Sequence, residues 1–160
     1  MTTLTIDVPR PEMTANDQRR WTWPQVRRAK LVMAAQVTKA ALTALASPQT
    51  EQIAVRVTWY PKDRIRRDAD ALGPFVKSAL DALVAMRIIP DDSREHVASV
   101  TTAIGAVDKT RPRIVIELVP AAACWVCGEN RPPPTVCSQQ CHATDADHEL
   151  ADTFTRKDHR

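Results

Sequence analysis

The chain has 160 residues, 44% of them apolar and 26% charged, with a formal charge of +3 at neutral pH. That is enough chain for one domain with a true core plus an appendage, and too ordinary a composition for a low-complexity or fibrous protein. Met1 to Asp7 lacks the apolar stretch of a signal peptide and no apolar run is long enough to span a bilayer, so a cytoplasmic protein without a membrane partner is expected.

Thr3 to Val8 alternates and predicts a strand, closed by Pro9 and Pro11. A polar loop follows through Asn16. Residues 24 to 46 repeat apolar side chains at helical spacing behind Pro24, and Ser47-Pro48 ends that helix. Ile53 to Tyr60 is β-branched and alternating, the clearest strand of the chain. After a basic connection from Pro61 to Arg67, Leu72, Phe75, Val76, Ala79, Leu80, Leu83 and Val84 mark a second amphipathic helix with Pro74 in its first turn. Val97 to Val107 and Arg113 to Val119 read as two more strands, and Asp108 to Pro112 as the hairpin loop between them. The expected fold is α+β: a two-layer arrangement of a mixed sheet with two helices on one face. Pro120 marks a boundary, giving a domain over 1–120, a small cysteine unit over 121–144 and a disordered tail over 145–160.

The bases are clustered. Lys62, Arg64, Arg66 and Arg67 precede the first acidic pair, and Arg19, Arg20, Arg27, Arg28 and Lys30 form a second group. Such patches, rather than the total charge, attract a polyanion, although a solvated charged surface has the same composition.

The acids lie between these bases and the turn beyond the second helix. Asp68 and Asp70 project to one side if the chain is extended there, and two neighbouring carboxylates tolerate each other readily around Mg²⁺ or Mn²⁺. The helix that follows presents its positive end to the same region, and Lys77 sits in its first turns, within reach of a phosphate or of Asp81 at i, i+4. Asp91 and Asp92 follow the helix and start at its far end, so the chain must fold back to bring them near Asp68 and Asp70. Plainer readings exist for the same residues: Asp91-Asp92-Ser93 as a turn and helix cap, and Asp70 as a cap. Acids that hold a hard cation beside bases that hold phosphate are what metal-assisted phosphodiester cleavage needs.

Asp68-Ala69-Asp70, then Lys77-Ser78-Ala79-Leu80-Asp81-Ala82-Leu83-Val84, then Ile89-Pro90-Asp91-Asp92-Ser93, resembles the RusA family of Holliday junction resolvases. Asn16, Arg19-Arg20 and the long helix after Trp23 resemble its phage members, and the likeness covers roughly residues 1 to 119. The resemblance implies a small homodimeric Mg²⁺-dependent endonuclease of bacterial or phage recombination and repair. Its catalytic and metal-binding acids would be Asp68, Asp70 and Asp92, with Asp91 the less favoured of its pair. Lys77 would be its essential lysine, and branched DNA, a four-way junction, its partner. A two-fold symmetric junction suits two sites in a C₂ dimer, which would resolve it by paired symmetric nicks. The sequence departs from the family pattern in two places. Ala71 stands where an Asn usually follows the second acid, and Met86-Arg87 stand where a small residue and a glycine usually follow the helix.

All four cysteines fall in one cluster, Cys124-x₂-Cys127 and Cys137-x₃-Cys141. Four thiolates at this spacing fit a structural Zn²⁺, with His142 a lesser substitute for Cys141; two disulfides or free thiols are the alternatives. A segment this short has no core of its own, so zinc would supply most of its folding energy.

Trp21 and Trp23 lie beside Arg19-Arg20 and either stack on unpaired bases or, the favoured reading, anchor the helix start to the core. Trp59 and Tyr60 read as packing. His96 has a structural reading ahead of a role beside the metal. Ala71 keeps open an alternative function, a zinc-containing DNA-binding protein with a degenerate acidic pocket. A zinc-bearing adaptor for other proteins is a third.

Overall fold

The computed structural model describes residues 1–68 and 70–121. Seven elements follow in chain order: β1 (Thr2–Ile6), α1 (Ala15–Arg20), α2 (Trp23–Thr43), β2 (Ile53–Tyr60), α3 (Gly73–Ala85), β3 (Val97–Ile104) and β4 (Arg113–Pro120). The chain is α+β, with a four-stranded mixed sheet in the order β1-β4-β2-β3. β4 runs antiparallel to both β1 and β2, and β3 runs parallel to β2.

The alternation in the sequence is the reason for the layers. Every second residue of the central strands β2 and β4 is buried, Ile53 to Trp59 and Ile114 to Leu118, as are Leu4 and Ile6 of the edge strand β1. These side chains form one core with Met33 and Val37 of α2 and Phe75 and Leu83 of α3. Both long helices therefore cover one face of the sheet, as side chains two apart on a strand must share a face. No described helix is long and apolar enough to cross a membrane.

Two expectations need correction. The last two strands do not form a hairpin, because β4 inserts between β1 and β2 while β3 lies on the other side of β2. β2 and β3 are joined through α3, and a helix-length crossover is what a parallel pair requires. The segment expected as a hairpin loop instead closes on Asp108. Its Oδ1 accepts from the Arg111 and Thr110 backbone N–H groups at 2.9 and 3.1 Å, and its Oδ2 meets Arg113 Nη1 at 2.6 Å. These donors, Arg111 N–H first, hold its carboxyl far below the usual range. The second correction is α1, which occupies part of the polar stretch expected as loop. It buries none of its residues and so leaves no apolar period to read. Its signature is a capping box: the Thr14 hydroxyl accepts from the Asp17 N–H, and the Asp17 carboxylate accepts from the Thr14 N–H.

Both long helices end in the same way. At the end of α3, Arg87 N–H donates to the Val84 carbonyl and Ile88 N–H to the Leu83 carbonyl, both at 2.9 Å. At the end of α2, Leu45 and Ala46 repeat the pattern to Leu42 and Ala41. This double bond pattern requires a left-handed residue at its turn, and Arg87 (φ 58°) and Leu45 (φ 49°) supply it without being glycine. A side chain there costs about 1 kcal/mol. Arg87→Gly is accordingly expected to raise stability by about 1 kcal/mol, read as a higher urea midpoint with an unchanged slope. An unchanged midpoint would show that the turn carries no such strain.

Candidate functional site

The segment joining β2 to α3 does not run extended through the acidic pair. Ala71 N–H donates to the Asp68 carbonyl (3.1 Å) and Gly73 N–H to the Asp70 carbonyl (2.9 Å), so the chain turns there. Both carboxylates still face one element, α1. Asn16 Nδ2 donates to Asp68 Oδ2 at 2.7 Å, and Arg19 Nη2 lies 3.3 Å from Asp70 Oδ2. Asn16 and Arg19 are one helical turn apart and bonded to each other at 3.4 Å, which is why one short helix reaches both acids. The Asp70 carboxylate does not cap α3, whose first turn has no side-chain cap. Ala71, in the position where a polar residue was expected, is buried. The amide beside the acidic pair comes from Asn16 on another element.

α3 begins at Gly73 with Pro74 in its first turn, where the missing N–H costs nothing. Phe75, Ala79 and Leu83 are drawn into the core, which leaves Lys77 on the outer face. Its ammonium binds Asp81 one turn on at 2.9 Å, and also Asp92 Oδ2 at 2.6 Å. The second contact bears on where the chain goes after α3. The chain folds back after α3, and Asp92 returns to the early turns of the helix. Its neighbour Asp91 is engaged differently: bonds from the Ser93 hydroxyl, and then from the Asp92 and Ser93 N–H groups, hold its carboxyl below the usual range. Asp91 thus makes the turn, while Asp92 faces Lys77. The bonds to Asp81 and Asp92 push the Lys77 pKa well up, so this group is a fixed cation throughout the neutral range.

Arg19, Asp70, Gly73, Lys77 and, from α2, Lys30 line a recess of about 320 Å³. The two networks, Asp68–Asn16–Arg19–Asp70 and Asp81–Lys77–Asp92, meet at this recess. All the acidic groups are oxygen donors at least partly open to solvent, the chemistry a hard cation takes. In this conformation each is held by a protein donor, and no three His, Cys, Asp or Glu side chains among the described residues gather to hold one ion.

The basic residues divide. Lys62, Arg64 and Arg66 are exposed, as are Arg19 and Arg20 on α1. Arg67 is turned inward: its guanidinium stacks on the Trp59 ring, 4.5 Å from the centroid, and binds the Asp63 carboxylate. Trp59 in turn donates to the Pro9 carbonyl at 3.1 Å and is buried, as expected of a packing residue. The two tryptophans at the start of α2 also part ways. Trp21 packs against the core, whereas Trp23 is 70% exposed. His96 is half-buried; its N–H donates to the Ser93 carbonyl in the turn before β3, and its carbonyl accepts from the Ile53 N–H at the start of β2. Cys124, Cys127, Cys137, Cys141 and the tail lie outside the described residues.

No protein-family profile matches the chain, and no curated protein matches it significantly.

Proposed function

We propose that this chain is a Mg²⁺- or Mn²⁺-dependent, structure-selective endonuclease of the RusA resolvase kind, acting on four-way DNA junctions as a homodimer. The observation that carries the reading is the 2.6 Å contact between Lys77 and Asp92. It returns an acid from beyond α3 to the lysine that borders the same recess as Asp70. Asp68 and Asp70, with Asp92 as third donor, are the residues that would hold the ion. When bound, the ion would polarise the scissile phosphate and lower the pKa of a water.

The chain's own groups supply the rest. Lys77 stays protonated, so it acts as a fixed positive charge for the phosphate and the leaving oxygen, not as a base. Arg19, Arg20, Lys62, Arg64 and Arg66 offer exposed charge to the DNA backbone. Asn16 and Arg19 hold the acidic pair in place until a cation takes it over. The cysteine set Cys124, Cys127, Cys137 and Cys141 belongs to the same proposal as a closed structural Zn²⁺ site with no catalytic position.

The test is a labelled four-way junction incubated with the full chain and Mg²⁺. Paired nicks at symmetry-related positions of opposing strands are expected. Nicks that are absent in both Mg²⁺ and Mn²⁺ while the junction is still bound would support a second reading, a DNA-binding protein that does not cut. One observation favours that reading: the three aspartates are held by separate protein donors and not by each other's common ligand.

A further inference from the structure

Next to the acidic recess runs a second hollow, about 380 Å³, between α2 and α3. Trp23, Arg27, Lys30 and Leu31 line it from α2, and Ser78 and Asp81 from α3. Lys30 borders both hollows, so they are neighbours along one surface. The polar groups of α3 in this lining are already engaged: Ser78 Oγ donates to the Pro74 carbonyl at 3.0 Å, and Asp81 is held by Lys77. What remains available is a flat aromatic ring and two cations. The Trp23 indole is 70% exposed, and the Arg27 guanidinium lies 5.4 Å from its centroid. Lys30 forms no ion pair among the described residues. α2 carries Arg27, Arg28, Lys30 and Lys39 and not one acidic residue.

An exposed indole with one guanidinium over it, beside cations that form no ion pair among the described residues, is the chemistry that takes a nucleotide: the open part of the ring stacks on a base and the cations meet its phosphates. A second copy of the chain is the competing occupant. An isologous contact through this face would set the basic side of α2 against itself, and like charges across an interface are costly. A polyanion meets no such penalty.

We propose that the α2–α3 hollow holds an unpaired nucleotide of the bound DNA, with its base stacked on Trp23 and its phosphates against Arg27 and Lys30. The inference rests on the nuclease reading for the identity of the polyanion, and it makes Trp23 a substrate-positioning residue beside the acidic recess. It also separates the tryptophan pair, with Trp21 packing and Trp23 reading the strand.

The experiment uses the full chain without added Mg²⁺ and a fluorescent oligothymidine, titrated by anisotropy at low salt. Trp23→Ala is expected to weaken binding about tenfold, and Trp23→Phe to restore most of the loss, because any aromatic face serves for stacking. An oligonucleotide carrying 2-aminopurine should lose fluorescence on binding the wild type and keep it on binding Trp23→Ala. Lys30→Ala should lower the salt dependence by about one ion. Equal affinity of Trp23→Ala and wild type, or no rescue by Trp23→Phe, overturns the inference. So does a Trp23→Ala protein that binds DNA normally but sediments as a smaller species, which would make this face a contact between copies. Should the wild type cut junctions while Trp23→Ala binds and cuts identically, only this inference fails. Should the wild type bind no DNA even at low salt, the nuclease reading fails with it.

Discussion

Asp92→Asn is expected to abolish Mg²⁺-dependent cutting of a four-way junction, by roughly 10²-fold or more, while Asp91→Asn cuts as the wild type does. Loss of a group that merely orients a metal ligand already costs about 10–100-fold, so loss of a ligand charge should cost at least that. The two residues are adjacent and chemically identical in isolation. Only their partners differ: Ser93 for Asp91, Lys77 for Asp92. The comparison is therefore controlled for the charge removed and for the substitution itself, and the Asp91 variant, which also loses turn bonds, is the harsher one locally. Asp70→Asn should behave like Asp92→Asn. Single-turnover cleavage measured beside junction binding checks it, since a loss of cutting with binding kept assigns the effect to chemistry. Equal activity of the Asp91 and Asp92 variants would sink the assignment, because the contact with Lys77 would then have no functional meaning.

The second large effect is on stability. Phe75→Ala should cost about 3–5 kcal/mol, enough to lower the melting temperature by roughly 10 °C or more. Phe75 is fully buried and sits two residues before Lys77 on the opposite side of α3. It belongs to the core that joins the sheet to α2 and α3, so truncating it leaves a cavity beneath the first turns of the helix. Lys77→Ala on the same helix should change stability by about 1 kcal/mol or less, because exposed ion pairs contribute little. Urea denaturation of the two variants, with slope and midpoint both recorded, tests the contrast. A Phe75→Ala midpoint equal to that of Lys77→Ala would mean that α3 is not anchored through this ring.

Most of the scaffold was legible because burial writes itself into spacing. β2 alternates, α2 and α3 repeat their apolar residues at helical spacing, and Pro24 and Pro74 mark their first turns. Strand order was not legible in the same way. Two consecutive strands with a turn-rich connection look like a hairpin whether or not they pair, and the neighbour that β4 chooses is set by residues far off in the chain. The better signal was α3 itself, since a strand–helix–strand run of that length favours a parallel pair. α1 escaped notice because it buries nothing, and only the Thr14 and Asp17 spacing betrays it. Of the candidate site, the sequence offers candidate residues but not their partners in the fold. The sequence ranks Asp92 above Asp91 by resemblance; in the fold Asp92 meets a lysine fifteen positions back. Asn16, which bonds Asp68, lies 52 positions from it, and no local pattern connects them.

α1 is pinned at its two ends, by buried Met13 before it and by Trp21 after it, and contributes no side chain of its own to the interior. Its positions are therefore free of the demands of packing. Exchanges at Ala15, Gln18 or Arg20 leave the interior untouched, so natural variation or a randomised library can change the surface chemistry of this short helix while the scaffold beneath it stays the same.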